Sequence, residues 1–226
     1  MKIGALTIGQ SPRMDIISEL KEVIGFEVKI EERGALDNLT WEEVRDLYPQ
    51  PDDYILVTRM RDGKEVKIAK KYIVERMKKC IADLERINVD FIILLCTGEF
   101  SEEITSKKLI LKPNKLIESM VKGILREGII ADIVPSPDQI PLMEERWKRT
   151  NPNLKVIVDT VSLYTESEKE IEEVGERIAK TDVNLIILDC LGFNKKIKTI
   201  FRKITKKPVL LPRTLLGRVI GELIEE

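Results

Sequence analysis

The sequence predicts an α/β protein built from two similar halves, each with a parallel sheet. Three observations predict it. Apolar runs of strand length alternate with helix-length amphipathic segments along the whole chain, the pattern of α/β folds. Two of the runs, Phe91 to Leu95 and Leu185 to Leu188, are continuously apolar, as strands buried on both faces are. One stretch also nearly repeats: Val89-Asp90-Phe91-Ile92-Ile93-Leu94-Leu95-Cys96-Thr97-Gly98 lines up without a gap on Val183-Asn184-Leu185-Ile186-Ile187-Leu188-Asp189-Cys190-Leu191-Gly192, with six of the ten positions identical, a cysteine and a glycine among them.

In chain order, Met1 to Ile8 opens with a strand over 2–8. Ser11-Pro12 begins a helix over 12–24, with Pro in the first turn, Ser11 as its cap and Gly25 as its stop. A strand over 26–33 follows, then a mixed segment over 34–53 in which Thr40-Trp41-Glu42-Glu43 has the form of a capping box before a short helix. Pro49, Pro51 and Asp52-Asp53 turn the chain into a strand over 54–59, and Arg61-Asp62-Gly63 turns it again. A long helix spans 65–87, a strand 90–96 and a helix 113–127, stopped by Gly128. The second half runs strand 129–134, helix 138–149, strand 154–161, helix 166–181 opened by Thr165 before Glu166 and Glu168, strand 184–190 and helix 194–204. Strand 208–212 and helix 214–225 close the chain. The first half is otherwise short of one βα unit, so the expected domains are 1–100 plus 201–226, and 101–200.

Composition excludes several function classes. A hydrophobic fraction of 43% over 226 residues supports a sizeable core, and a net charge of -1 sets up no field favouring nucleic acid or an anionic membrane. No apolar run approaches the roughly 18–20 residues that span a bilayer, and the opening segment is too short and too polar beyond Ile8 for a signal peptide. Three cysteines without a C-x-x-C pair argue against a disulfide framework and for a reducing, cytoplasmic location. Histidine is absent, which removes Ser-His and Cys-His catalysis and His-based zinc sites. No phosphate-binding or dinucleotide-binding glycine motif and no paired metal carboxylates appear, so neither cofactor nor metal is expected. Lys195-Lys196 and Lys206-Lys207 read as solvated faces.

What remains for chemistry is the pair of cysteine turns. Cys96 and Cys190 each end an apolar strand, where open α/β sheets place their ligands. Each is followed two residues later by a glycine, Gly98 or Gly192, which lets a ligand approach the backbone. Amide N–H groups beyond the strand would hold an anion and favour a thiolate. Two thiols on opposite sides of one carbon atom form an acid and base pair. The plainer reading of each cysteine is a small buried hydrophobe, and Cys80, mid-helix, is read that way. Gln10, Ser11 and Arg13 follow the first strand and suit an anion, with Arg13 as a bidentate clamp. Arg59 and Arg213 end strands, and a pair of guanidinium groups at that sheet edge suits a dicarboxylate or another anion. Thr97 and Glu99 complete the candidate substrate site, Glu99 as a further acid or base or as a helix N-terminal charge.

Five stretches together resemble the AroM family, within the aspartate/glutamate racemase-like superfamily: Thr7-Ile8-Gly9-Gln10-Ser11-Pro12-Arg13, Gly34-Ala35-Leu36-Asp37, Thr58-Arg59-Met60-Arg61-Asp62-Gly63, Cys96-Thr97-Gly98-Glu99-Phe100 and Asp189-Cys190-Leu191-Gly192. The resemblance implies two parallel-sheet α/β halves related by a pseudo-twofold axis, with the ligand in the cleft between them. It implies that Cys96 and Cys190 exchange a proton next to a carboxyl group without any cofactor, and that Gln10 to Arg13 help hold the substrate. Superfamily racemases typically follow the first cysteine with Asn-Thr and the second with Thr, where this chain has Thr97-Gly98 and Leu191-Gly192. They also carry Asp-Ser after the first strand, where this chain has Gln10-Ser11. The expected activity is that of a cofactor-independent racemase or isomerase acting on a small carboxylate. A small-anion sensor without turnover and a reversible thiol pair are the alternatives. The expected partner is that small carboxylate; neither nucleic acid nor membrane is expected, and a homodimer is left open.

Overall fold

The computed structural model describes residues 1–100, 103–163 and 167–225. It divides into two units, Met1–Asn114 with Leu216–Glu226, and Lys115–Leu215. In the first unit, strand β1 (Lys2–Thr7) leads through helix α1 (Met14–Ile24) to β2 (Lys29–Gly34). Helix α1 holds together because Ile16, Ile17, Leu20 and Ile24 form one buried stripe. It ends at Gly25, whose φ of 80° is the left-handed stop the sequence predicts. The short helix α2 (Trp41–Arg45) starts on the predicted capping box: the Thr40 hydroxyl accepts from the Glu43 amide while the Glu43 carboxylate accepts from the Thr40 amide. An antiparallel hairpin, β3 (Ile55–Arg59) and β4 (Glu65–Ala69), turns at Gly63, φ 92°. Helix α3 (Lys70–Arg86), strand β5 (Phe91–Leu94) and strand β6 (Leu109–Leu111) complete the unit, and the four parallel strands stand in the order β2-β1-β5-β6.

Helix α4 (Pro113–Ile124) leads into the second unit. Strand β7 (Gly128–Val134), a single 3-10 turn (Pro137–Gln139), helix α5 (Ile140–Thr150), strand β8 (Leu154–Thr160), helix α6 (Glu168–Ala179), strand β9 (Leu185–Leu188), helix α7 (Lys195–Thr205) and strand β10 (Val209–Leu210) follow. Its sheet is parallel in the order β8-β7-β9-β10, the order of the first sheet with β1, β2, β5 and β6 replaced by β7, β8, β9 and β10. The chain is therefore α/β with two similar parallel sheets. Strand β9 is apolar at every position because both its faces are covered. Ile186 and Leu188 pack with residues of α6 and α7, while Leu185 and Ile187 pack with Ile117 and Val121 of α4 and Trp147 of α5.

Several expectations change. Residues 65–69, read as the start of the long helix, form β4, because Val66 and Ile68 alternate inward against β3 before α3 begins without an intervening turn residue. Strand β6 was not expected; it is three residues long and draws the segment up to Asn114 into the first unit. Strand β10 pairs with β9 and so lies in the second unit rather than returning to the first. The unit boundaries accordingly fall after Asn114 and Leu215, where the sequence suggested 100 and 200. Helix α8 (Pro212–Ile224) starts on a proline, so Arg213 lies in its first turn and not at a strand end. Ser11 and Pro12 precede α1 rather than opening it, and Ser11 does not cap it. Helix α4 ends at Ile124, and Gly128, φ 137°, begins β7 instead of stopping the helix. Helix α6 is capped by Ser167, whose hydroxyl accepts from the Glu170 amide; Thr165 and Glu166 lie outside the described residues.

Candidate functional site: two cysteine turns

Strands β5 and β9 occupy the same four positions of the sequence repeat, and each ends two residues before its cysteine. Their pairing partners also correspond: the Leu95 amide donates to Leu6 of β1 at 2.7 Å, and the Asp189 amide donates to Ile133 of β7 at 2.8 Å. Beyond the strand each turn repeats one contact. The Gly98 amide donates to Cys96 Sγ at 3.2 Å, and the Gly192 amide donates to Cys190 Sγ at 3.3 Å. An N–H aimed at sulfur favours the thiolate over the thiol. Cys96 is buried and Cys190 partly exposed, and neither is in a disulfide. Cys80, facing the Gly34 carbonyl from α3, behaves differently: burial pushes its thiol up to about 11, so it is inert near neutral pH.

The first unit gathers most of the other predicted residues beyond the carboxyl ends of β1, β2 and β5. Gln10 donates its amide to the Leu36 and Leu39 carbonyls and accepts from the Arg61 backbone N–H. Ser11 donates its hydroxyl to Asp37 at 2.7 Å and its backbone N–H to the same carboxylate at 2.8 Å. Asp37 also accepts from the Gly34 amide at 2.7 Å. The approach is close: a Cβ on Gly34 would stand 2.7 Å from the Ser11 nitrogen. Three of the five stretches that carry the family resemblance are thus one interlocked structure. Arg13 is 5% exposed and forks onto Asp15, at 2.9 Å and 2.8 Å. Arg59 reaches the same carboxylate at 3.6 Å and donates to the Gly63 carbonyl. The pair expected at a sheet edge was Arg59 with Arg213; Arg59 instead shares Asp15 with Arg13, an acid that sequence reasoning missed. The signal was an acid two residues after Arg13, invisible as a pair until the loop places Arg59 beside it.

The Cys96 turn is held from outside by cations. Lys70 donates to the Glu99 carbonyl at 2.8 Å, pairs with Glu103 at 2.7 Å and lies over the Tyr54 and Phe100 rings. The Tyr54 hydroxyl accepts from the Glu99 amide, and Lys112 donates to the Phe100 carbonyl. Thr97 is 9% exposed, and α-helix is absent around Glu99 among the described residues, so its charge opens no helix.

The second unit holds Cys190, Gly192 and Arg213. Arg213 is 2% exposed and donates to the Leu191 carbonyl at 3.0 Å and 2.7 Å and to the Gly192 carbonyl at 3.1 Å. Beneath the turn lies an ionic group that the sequence reading did not find. Asp189 pairs with Arg146 of α5, and Arg146 stands 3.5 Å from Asp132 of β7; the Asp132 carboxylate accepts from the Trp147 indole N–H at 2.6 Å. All three charged side chains are at most 1% exposed. Burial, then the charge of Asp189, push the Asp132 carboxyl up to about 8, against the pull of Arg146 and Trp147. Asp132 interrupts the apolar run Ile129 to Val134, and that interruption was the available signal.

Among the described residues, no group of three or more Cys, Asp or Glu is placed to hold a metal ion, and no helix is long and apolar enough to cross a membrane. Comparison with known proteins fixes the family. The model of the AroM protein family matches residues 3–224. The chain belongs to the AroM family. Solved structures similar to this AroM-family chain include glutamate racemase from Francisella tularensis in complex with D-glutamate, at 16% identity, covering 99% of this chain and 80% of that one, with a TM-score of 0.63. Allantoin racemase from Klebsiella pneumoniae is similar at 11% identity over 99% and 87% of the two chains, TM-score 0.64. The maleate isomerase Iso from Pseudomonas putida S16 is similar at 11% identity over 100% and 93%, TM-score 0.62. The fold is therefore that of the racemases and isomerases. No curated protein matches the sequence.

Proposed function

We propose that this AroM-family chain is a cofactor-independent, cytoplasmic racemase- or isomerase-type enzyme, and that Cys96 and Cys190 act from opposite faces of one small carboxylate. One observation carries the reading: the same thiol turn is built twice, at the same distance from the same strand, with the same glycine N–H on sulfur. Duplication of a packing cysteine requires no such amide. One thiolate removes the proton next to the carboxyl group and the other thiol returns one on the far side. The developing enolate-like charge demands preorganised donors. Of the similar structures, those named glutamate racemase, aspartate racemase and maleate isomerase carry a carboxylate in the named substrate, while the one named allantoin racemase does not; the first three support the substrate class.

The test is deuterium exchange in heavy water across a panel of small amino, hydroxy and unsaturated acids. Exchange into at least one acid is expected. Cys96→Ser and Cys190→Ser should each lower it by about 10²-fold or more, and exchange undiminished in both variants would reject the mechanism. A second reading, a sensor that binds a small anion without turnover, is favoured by Leu191, which is 1% exposed and offers no hydroxyl beside the second thiol. It predicts thermal stabilisation by such an acid that survives both cysteine substitutions, with no exchange at all.

A further inference from the structure

We infer that Arg213 is a positioning residue for Cys190 rather than a ligand clamp, acting through the Leu191–Gly192 peptide. The argument is geometric. A trans peptide directs its C=O and its N–H to opposite sides. On one side of this peptide, the Leu191 carbonyl takes two guanidinium N–H bonds from Arg213, at 3.0 Å and 2.7 Å. On the other, the Gly192 N–H meets Cys190 Sγ at 3.3 Å. The third bond of Arg213, to the Gly192 carbonyl at 3.1 Å, fixes the next peptide as well, so the turn cannot rotate about Gly192 without breaking the fork. A planar guanidinium with several N–H groups in a rigid fork suits this task, and a lysine ammonium does not. The cation also polarises the peptide it grips, which strengthens the N–H donor on the far side. Arg213 is 2% exposed, so its charge acts where solvent screens it little.

In the first half, Lys70 donates to the Glu99 carbonyl and Lys112 to the Phe100 carbonyl. Arg213 is thus the device that favours the thiolate at Cys190. If the proposed acid and base pair operates, the arrangement suits Cys190 to act as base; the positioning role itself concerns only the thiol and does not require turnover.

The test is the pH dependence of alkylation of the full-length protein by iodoacetamide, with Cys190 and Cys96 followed separately by peptide mass spectrometry. Arg213→Gln keeps a donor and loses the charge; Arg213→Lys keeps the charge and loses the fork. In Arg213→Gln, the midpoint of the Cys190 profile should rise by about one pH unit, so that alkylation near neutral pH falls about tenfold while the high-pH plateau is retained. Arg213→Lys should fall between Arg213→Gln and the parent, and serves if Arg213→Gln does not fold. The Cys96 profile should stay in place in both. A Cys190 profile that overlays the parent in the folded variants overturns the inference. So does a Cys190 rate raised equally at every pH, the mark of a loosened turn. Neither outcome touches the exchange experiment. Conversely, exchange undiminished by the cysteine substitutions would reject the proposed reaction while the alkylation profiles still decide the role of Arg213.

Discussion

Between strand and thiol, Cys96 is preceded by Leu95, 3% exposed, and Cys190 by Asp189, held by Arg146. The neighbouring strand shows the same contrast: Ala5, 0% exposed, pairs with Ile93 in one sheet, and Asp132 pairs with Ile187 in the other. So do the helices, since Leu20 and Arg146 are each the seventh residue of an eleven-residue helix that follows the first strand of its sheet. Ala5, Leu20 and Leu95 in one half thus answer to Asp132, Arg146 and Asp189 in the other. An apolar foundation and an ionic one carry the same turn. The turn is specified locally, by an apolar run, a cysteine and a glycine two residues on. The foundation has only to be filled and satisfied.

Breaking the ionic foundation should give the largest effect. Arg146→Leu alone leaves Asp132 and Asp189 buried without their cation, which should cost about 3–5 kcal/mol of stability, measured by urea unfolding. Converting the whole group to its counterpart (Asp132→Ala, Arg146→Leu and Asp189→Leu, with Trp147→Phe so that no indole N–H is orphaned) should recover most of that loss, because replacing a buried ionic group by packed apolar residues is often neutral. A combined variant no more stable than Arg146→Leu would show that the halves are not interchangeable beneath the turn.

The same group makes the second half respond to pH. Burial, chiefly, raises the Asp132 carboxyl from 3.8 to about 8. Across that window the folded chain keeps a proton that the unfolded chain releases, so the folded state binds more protons and stability falls as pH rises. The contribution is fully present below the unfolded value and is lost as pH passes through the folded one. Urea unfolding at about pH 5 and about pH 8.5 should show the decline, and Asp132→Asn should flatten it. A decline equally steep in Asp132→Asn would place its origin elsewhere. The first half, with Ala5 at this position, contributes no such dependence from beneath its turn.

How much of this was legible follows the same division between local and tertiary. The register of β5 and β9, the two thiols with their glycines, the Thr40 capping box and the Gly25 stop are each encoded within a few residues, and the structure reproduces them. Strand β4 was lost because Glu65 to Ala69 runs straight into α3, and its alternation covers only five residues. Strand β6, Leu109–Leu111, is too short for any period to show. Arg13, Arg59 and Arg213 read in sequence as groups for an anionic ligand. Asp15 is local to Arg13, but its contact with Arg59 and the grip of Arg213 on the Leu191 and Gly192 carbonyls exist only once segments distant in sequence meet. Arg146 reads in sequence as part of the charged face of α5, and only the two core aspartates explain its burial.

The smallest expected effect tests whether the two glycines are equally needed. A Cβ on Gly98 would stand 2.8 Å from Leu56 Cδ2 and 3.1 Å from Phe100 Cε2. Leu56 and Phe100 are 2% and 0% exposed, so neither can move without disturbing the core around β3 and β5. A Cβ on Gly192 would stand 2.5 Å from Leu163 Cδ1, a nearer approach, but Leu163 is only partly buried and lies in a loop. The closer clash is therefore the cheaper one, because its partner can rotate away. Gly98→Ala should cost about 1–3 kcal/mol by overpacking, and Gly192→Ala no more than about 1 kcal/mol, both read by urea unfolding. The reverse order would mean that Leu163 is pinned, and that the second turn is as tightly enclosed as the first.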